Sequence, residues 1–288
     1  MGLRTILGLK KAKKHAAEKM VKVGNYSLLA DHEHRIQLHL EQFKYYSRNF
    51  SRIAKYIESK YPSYQIIDVG ANIGDTVALL RTENVQQFVH LIEGDPVFVA
   101  FLEKNLPLFT DVKAYETFLG EESMEQTIEV DNTKGTAKLN VGSGNQKMAI
   151  VKLDDLVKQN QIENIKLLKT DTDGFDFKVL RGSFETIKRD KPVLFFEYDS
   201  VFLKEQNEDG LAMFEDFANL GYKTALYYDN YGKFVISTAI DNKALIAQLY
   251  AYINKKEGAY LYYDVCLFHQ DDEDLAQACI QKEMEFYS

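Results

Sequence analysis

The chain has 288 residues, of which 45% are hydrophobic and 27% are charged, so it can bury one large α/β core and is too apolar to be extensively disordered. Its formal net charge of -8 and pI of about 5.4 argue against a nucleic-acid substrate, because proteins that hold a phosphate backbone usually present a basic face. Two cysteines, Cys266 and Cys279, are too few for a disulfide framework and lack the paired spacing of a zinc site. We interpret them as structural thiols in a reducing compartment.

The N-terminal segment combines a few apolar side chains with a cluster of lysines at Lys10–Lys14. It has no small-residue cleavage site, and no stretch of the chain approaches the roughly 20 apolar residues of a membrane span, so we predict neither a secretory signal nor a transmembrane helix. A solvated helix end is the favoured interpretation. The alternative is a basic helix within residues 1–22 that lies on an anionic membrane. We expect a cytoplasmic protein, peripheral to the inner face of the membrane in that alternative.

Residues 33 to 60 have apolar side chains on one helical face, including Ile36, Phe43, Phe50 and Ile57, and Pro62 follows them. This spacing predicts one long amphipathic helix. Packing against the sheet of the same chain is favoured over a homodimeric coiled coil, because too few heptads are present. We therefore divide the chain into an N-terminal helical extension, residues 1–62, and a globular domain, residues 63–288.

From residue 64 onward, short β-rich runs alternate with segments of helical spacing. This alternation predicts an α/β fold with a doubly wound, mostly parallel Rossmann-like sheet. The first of these runs are continuously apolar, which is typical of strands buried on both faces, and the five runs are Gln65–Val69, Phe88–Ile92, Val112–Phe118, Ile165–Lys169 and Val193–Glu197.

Two later runs, Lys223–Tyr228 and Ala259–Phe268, bring the expected sheet to seven strands, with the last one antiparallel. Residues 123–150 interrupt the alternation. Their two β-rich runs and the turn-like Asp131–Gly135 predict an inserted β-hairpin beside the sheet.

The first predicted strand leads into a glycine-rich turn, Asp68-Val69-Gly70-Ala71-Asn72-Ile73-Gly74, and then into a helix. Such a turn brings backbone N–H groups and a helix N-terminus to the switch point of the sheet, where ligands bind. A dinucleotide fold would have a glycine at the position of Asn72, so the pattern argues against a bound pyrophosphate.

Two acids specify the ligand further. Glu93 ends the second predicted strand, where a carboxylate can accept hydrogen bonds from both hydroxyls of an adenosyl ribose. Asp68 would repel a pyrophosphate but favours the ammonium group of a methionine moiety. Asp95 precedes Pro96 and is also the predicted N-cap of the second helix. We therefore predict a site for S-adenosylmethionine rather than NAD, formed by Asp68, Gly70, Ala71, Asn72, Gly74, Glu93 and Asp95; the alternative is a glycine turn with two incidental acids.

Further motifs follow in a fixed order: LDDL at 153–156, LLKTDTDGFD at 167–176, VLRG at 179–182 and FFEYD at 195–199. Together with the glycine-rich turn, they resemble the FkbM family of methyltransferases over about residues 64 to 200. The resemblance implies that residues 63–288 form an S-adenosylmethionine-dependent methyltransferase domain that methylates a hydroxyl group. Known members act on macrolide-type natural products, glycolipid sugars or surface polysaccharides. The family commonly has Glu in the position of Asp173, which leaves the role of that carboxylate open.

Asp171 and Glu197 end adjacent predicted strands, so both are expected to face the ligand crevice. Either acid could remove the acceptor's hydroxyl proton, with Asp173 or Lys169 as helpers. Alternatively, the acids hold Mg²⁺, or Asp171 caps the next helix and Glu197 pairs with a structural lysine.

The expected partner is a hydroxylated small molecule or glycan, and a homodimer is an open alternative. Two other functions remain at this stage: a nicotinamide-dependent oxidoreductase, and a catalytically silent cofactor-binding module.

Overall fold

The computed structural model describes residues 18–133, 136–141, 146–254 and 257–287, with no side chains described for residues 126–148. In chain order the strands are β1 Glu18–Val23, β2 Tyr26–Asp31, β3 Gln65–Val69, β4 Phe88–Glu93, β5 Val112–Glu116, β6 Phe118–Leu119, β7 Met124–Thr133, β8 Thr136–Val141, β9 Gln146–Val151, β10 Ile165–Thr170, β11 Val193–Tyr198, β12 Tyr222–Asp229, β13 Phe234–Ala239 and β14 Tyr263–His269.

The helices, again in chain order, are α1 Ile36–Gln42, α2 Arg48–Ile57, α3 Asp75–Thr82, α4 Pro96–Asn105, α5 Leu153–Gln159, α6 Asp176–Arg181, α7 Phe184–Asp190, α8 Ser200–Glu205, α9 Ala212–Asn219, α10 Lys243–Asn254 and α11 Glu273–Phe286. Short 3₁₀ turns occupy Leu106–Leu108 and Gln270–Asp272. Within the described ranges, no helix is long and apolar enough to cross a membrane.

The main sheet has the strand order β13-β12-β14-β11-β10-β3-β4-β5. The five strands from β11 to β5 pair in parallel, and β14 is antiparallel to both β11 and β12. The predicted α/β class, the five parallel strands and the antiparallel last strand are therefore confirmed. The predicted count of seven is wrong, because β13 adds an eighth strand at the edge of the sheet.

Side chains that alternate along the central strands fill two separate hydrophobic cores. Ile66, Leu167 and Phe195 belong to the core that includes α2, α3 and α11. Their neighbours Ile67, Leu168 and Phe196 belong to the core on the other face, with helices α5 to α10. The centre of the sheet is thus buried on both faces, which is why its central parallel strands are largely apolar.

The N-terminal extension differs from the prediction. Residues 18–31 form an antiparallel hairpin of β1 and β2 instead of a helix. The single helix expected over residues 33 to 60 is two helices, with a break at which Ser47 has a φ of 54°. The buried side chains of α2 pack into the sheet's core, so the predicted packing of this segment is confirmed. The domain division at residue 62 stays a prediction.

The inserted hairpin is present as β7 and β8, which pair antiparallel. It belongs to a four-stranded sheet of order β6-β9-β7-β8, which is separate from the main sheet. Residues 1–17, the larger part of the basic segment predicted within residues 1–22, lie outside the described residues. Its last residues, 18–22, are in β1 and not in a helix.

Candidate functional site

The glycine-rich turn lies at the switch point of the sheet, between β3 and β10. Gly70 and Ala71 both donate backbone N–H groups to the carbonyl of Ile92, at 2.9 and 3.1 Å. Gly70 has a φ of +80°, and a Cβ at this position would lie 1.9 Å from the carbonyl oxygen of Asp171. The backbone of Asp171 therefore leaves no room for a side chain at residue 70. The sequence did not reveal this reason for a glycine.

Glu93, the predicted ribose acid, lies beside this turn at the end of β4. Its carboxylate accepts backbone hydrogen bonds from Asn72 at 2.8 Å, Gly94 at 2.9 Å and Asp95 at 2.8 Å. The side chain is 8% exposed. Burial outweighs these hydrogen bonds and raises the pKa of Glu93 to about 7.

Glu93 lines a small cavity of about 80 Å³ together with the glycine-rich turn. Phe98, Phe118 and Leu119 supply apolar walls. Gly94 also lines this cavity, and a Cβ there would lie 2.3 Å from the ring of Phe118. Sequence reasoning missed Phe118 and Leu119, since apolar side chains at the end of a predicted strand carry no signal that separates a pocket wall from core.

Asp68, the second predicted cofactor acid, is fully buried and lines neither this small cavity nor the larger cleft beside it. It instead accepts a hydrogen bond from Lys169 Nζ at 3.0 Å, and Lys169 also lies 3.3 Å from Asp171 Oδ2. Burial opposes the charge of Lys169, but attraction to these two carboxylates outweighs it and raises the pKa of Lys169. Lys169 is therefore an ammonium group that orients Asp171 and not a proton acceptor.

A larger cleft of about 570 Å³ adjoins the small cavity, and the two share Gly70, Asn72, Asp171 and Asp173. All four predicted catalytic residues line this cleft: Lys169, Asp171, Asp173 and Glu197. The opposite wall comes from residues 34 to 50, which were predicted only as a packing helix: His34, Arg35, Ile36, His39, Tyr46, Ser47, Asn49 and Phe50.

Glu197 lies on β11, beside the end of β10 that leads into Asp171. Its Oε2 atom is buried and has no hydrogen-bond partner among the described residues. Burial and the negative charges of Asp171 and Asp173 raise the pKa of Glu197 well above its usual value. A carboxylate in this state can accept a proton from a group placed in the cleft.

Asp264 is a further acid of the cleft that sequence reasoning missed. It pairs directly with Glu197 across β11 and β14 and accepts a hydrogen bond from Asn49 Nδ2 at 2.7 Å. Burial raises the pKa of Asp264 to about 7, despite that hydrogen bond. An acid within the otherwise apolar run Tyr263–Phe268 was the available signal.

The alternatives for individual acids are partly resolved. Asp95 accepts hydrogen bonds from Val97 and Phe98 N–H at 2.6 and 3.3 Å, so the predicted N-cap of α4 is confirmed. Helix α6 has no side-chain N-cap, and the ion pair of Asp171 is with Lys169.

Both cysteines are free and buried, as predicted. Across the described residues, no three His, Cys, Asp or Glu side chains are grouped as a metal ion requires.

The parallel sheet with an antiparallel strand between β11 and β12, the glycine-rich turn after β3 and the acid at the end of β4 define a class I methyltransferase fold. The family model of the methyltransferase FkbM domain matches residues 68–224. The chain therefore belongs to the FkbM methyltransferases, a family of S-adenosylmethionine-dependent enzymes.

Solved methyltransferase structures resemble the chain more distantly. Methyltransferase FkbM from Methylobacillus flagellatus is 16% identical with a TM-score of 0.41, over 57% of this chain and 40% of that one. TYW2 from M. jannaschii in complex with AdoMet is 12% identical with a TM-score of 0.39, over 88% and 86%. The plantazolicin methyltransferase BamL, in complex with a triazolic desmethylPZN analogue and SAH, is 9% identical with a TM-score of 0.41, over 81% and 88%. Comparison with curated proteins gave no match.

Proposed function

We propose that this chain transfers a methyl group from S-adenosylmethionine to a hydroxyl of a carbohydrate or a glycosylated natural product. The observation that carries the proposal is the Glu197 carboxylate, which lines a cleft of about 570 Å³ and has a buried oxygen with no hydrogen-bond partner among the described residues. This cleft opens beside the glycine-rich turn, so an acceptor in it would lie next to the bound cofactor.

The residues around the turn fit the cofactor. Glu93 lines the smaller cavity with a carboxylate already oriented by three backbone N–H groups, which suits it to accept ribose hydroxyls. When bound, S-adenosylmethionine supplies a methyl group on a positively charged sulfur. The negative residues of the shared wall, Asp171 and Asp173, favour a cation at that point.

Glu197 is the proposed proton acceptor. Its raised pKa makes it a stronger base than an ordinary carboxylate, and it needs only to remove the hydroxyl proton as the new carbon–oxygen bond forms. Asp171, oriented by Lys169, is proposed to position the acceptor hydroxyl. For Asp173 we propose a supporting electrostatic role, because it lines both cavities.

The walls of the cleft support a sugar-like acceptor. They combine aromatic rings, which can stack on sugar faces, with amide side chains that can bind hydroxyl groups: Tyr46, Phe195, Phe202 and Tyr262, and Asn49 and Asn230.

Incubation of the protein with S-adenosylmethionine and a panel of neutral, acidic and amino sugars, glycolipids and macrolide glycosides tests the proposal. We expect a product heavier by one methyl group, in which the new methyl is bonded to oxygen. Methylation confined to nitrogen or carbon would contradict the O-methyltransferase assignment. Thermal shifts with S-adenosylhomocysteine and with NAD test the oxidoreductase alternative, since a ligand that binds only the native state raises its apparent stability.

The assignment of roles is tested with Asp171→Asn and Glu197→Gln under saturating cofactor, and the exposed Glu122→Gln serves as a matched control. We expect a large loss of rate in the first two variants and none in the control. Near-wild-type rates in both would contradict the roles. The metal alternative is tested by adding EDTA and then Mg²⁺ to the wild type. This alternative predicts that EDTA abolishes activity and that Mg²⁺ restores it.

A further inference from the structure

The N-terminal hairpin and the turn after it contact the glycine-rich turn through side-chain hydrogen bonds. The first contact joins His34 to Asn72, with 3.0 Å between Nε2 and Oδ1. His34 is 5% exposed, so water does not compete freely for this bond. Sequence reasoning assigned no role to His34.

The tautomer of His34 follows from its second hydrogen bond. The backbone N–H of Ile36 donates to His34 Nδ1 at 3.3 Å, so Nδ1 is the acceptor and the ring proton is on Nε2. Nε2 therefore donates to the Asn72 amide oxygen. Both nitrogens of the ring are used, and the ring orientation is fixed.

Asn72 passes this constraint to Glu93. Asn72 has a φ of 49°, a left-handed conformation that a non-glycine residue keeps only when its surroundings hold it there. In this conformation its backbone N–H lies 2.8 Å from Glu93 Oε2. Two hydrogen bonds thus connect the His34 side chain to Asn72, and Asn72 to the Glu93 carboxylate.

A second contact holds the same turn from the other side. Asn105 of α4, which is 2% exposed, donates to the carbonyl of Ile73 at 2.9 Å. It also exchanges two hydrogen bonds with the backbone of Leu29 in β2, at 2.8 and 3.0 Å. The hairpin, α4 and the glycine-rich turn are therefore joined at one point.

We propose that residues 18–36 hold the glycine-rich turn in its cofactor-binding conformation, with His34 as the positioning residue. This inference rests on the proposed cofactor use. A turn held in this way before the ligand arrives costs less to order on binding, so loss of the His34 contact should weaken cofactor affinity.

Two substitutions separate the two hydrogen bonds of His34. Gln places an amide N–H near the position of Nε2 and can keep the bond to Asn72. Asn places its oxygen near the position of Nδ1, so it can keep the bond from Ile36 but cannot reach Asn72. His34→Gln and His34→Asn are compared with His32→Asn, a control at the exposed histidine two residues away.

The first measurement is the Kd for S-adenosylhomocysteine by calorimetry, without any acceptor. A lost hydrogen bond between uncharged groups corresponds to about a 3- to 10-fold weaker Kd, which we expect for His34→Asn. His34→Gln and His32→Asn should stay within about 2-fold of wild type, because the bond to Asn72 is kept. The second measurement, hydrogen exchange of the backbone amides at residues 70–74 in the free protein, should be faster in His34→Asn alone.

Equal affinities and equal exchange in His34→Asn and His34→Gln would overturn the inference. If His34→Gln loses as much affinity as His34→Asn, the contact to Asn72 is not responsible, and this too overturns it. A wild-type chain that binds no S-adenosylhomocysteine would contradict the proposed cofactor use instead, and the exchange rates would still decide whether His34 holds the turn.

Discussion

Single carboxylates at this site differ in how they are held. Glu93 is fixed by three backbone N–H groups, Asp68 by Lys169, and Asp264 by Asn49. Glu197 Oε2, Asp68 Oδ2 and Asp176 Oδ1 are each buried without a hydrogen-bond partner among the described residues, and of these three acids Glu197 is the one that lines the larger cleft. A carboxylate held by backbone donors suits ligand recognition, and one with a buried, unpaired oxygen suits proton transfer.

Glu93→Gln should weaken the binding of S-adenosylhomocysteine by about 10-fold or more, because a charge-assisted hydrogen bond to ribose becomes a neutral one. In the wild type, affinity should rise with pH through about 7, since the carboxylate binds hydroxyls best when it is ionised. Calorimetry over that pH range measures both effects. Glu116→Gln is the matched control, because Glu116 is the exposed register partner of Glu93 on β5. Equal Kd values for the two variants would remove Glu93 from the site.

Residue identity predicted that Glu93 and Glu197 lie at strand ends, where β4 and β11 place them, while their roles at the ligand crevice stay predictions. It could not predict the surroundings of Asp68. Whether a strand-end acid faces a cavity or a buried lysine depends on the register of the neighbouring strand, here Asp68 opposite Lys169. The contact between His34 and Asn72 could not be predicted either, since 38 residues separate them along the chain.

At the scale of elements, the loops after β3 and β10 are packed backbone to backbone. Gly70→Ala should lower the free energy of unfolding by more than about 2 kcal/mol, because it combines an unfavourable φ with a clash at the carbonyl of Asp171. The control is Gly258→Ala, where a Cβ would meet only the ring of the exposed Tyr252, which can move aside. Denaturant unfolding of both variants measures the difference. Wild-type stability in Gly70→Ala would mean that the two loops are not packed in this way.

The N-terminal hairpin is a structural element of the fold. Val21, Val23, Leu28 and Ala30 are all buried in the core beside α3 and α4. A truncation after residue 22 would remove most of β1 and so disrupt the hairpin.

A chain that begins at Glu18 should fold and bind S-adenosylhomocysteine as the full chain does. A chain that begins at His32 lacks the buried side chains of the hairpin and should lose several kcal/mol in the free energy of unfolding. Each large buried side chain contributes about 1.5 to 3 kcal/mol. Thermal unfolding compares the two. Binding of the full chain and the chain from Glu18 to anionic vesicles also tests the membrane alternative for the basic segment. Equal stability of the two truncated chains would contradict a structural role for the hairpin.

The periodicity of the sequence predicted the parallel strands well, because burial on both faces leaves a continuous apolar run. It failed for residues 18–31, where short alternating strands follow a lysine-rich segment, and it failed at the break between α1 and α2. That break depends on Ser47 adopting a left-handed conformation, which helical spacing does not reveal. The edge strand β13 was also missed.

For the whole molecule, several buried acids have raised pKa values, about 7 for Glu93 and Asp264 and about 6 for Asp176. Burial is the main cause in each case, so the folded state holds protons that the unfolded state releases at lower pH. The contribution of these groups to stability is therefore present below the pKa of the unfolded chain, near 4, and is lost as pH rises through about 7.

Through these acids, the free energy of unfolding should accordingly fall between about pH 4 and pH 7, by on the order of 1 kcal/mol or more. Asp264→Asn should flatten this decline and leave the variant more stable than wild type at the upper end. The exposed Asp241→Asn is the control and should follow the wild-type curve. Urea unfolding across the pH range measures the slope, and identical slopes for all three proteins would refute the contribution of Asp264.

The proposal that Glu197 accepts the acceptor's proton is tested most directly by the single-turnover rate of methyl transfer as a function of pH, at saturating cofactor and acceptor. For the wild type we expect the rate to rise with pH until Glu197 is ionised, because only the ionised carboxylate accepts a proton. Glu197→Gln should be slower by about 100-fold or more and should lose that rise, with Glu122→Gln unchanged. A Glu197→Gln variant that keeps the wild-type rate and pH profile would contradict the proposed mechanism.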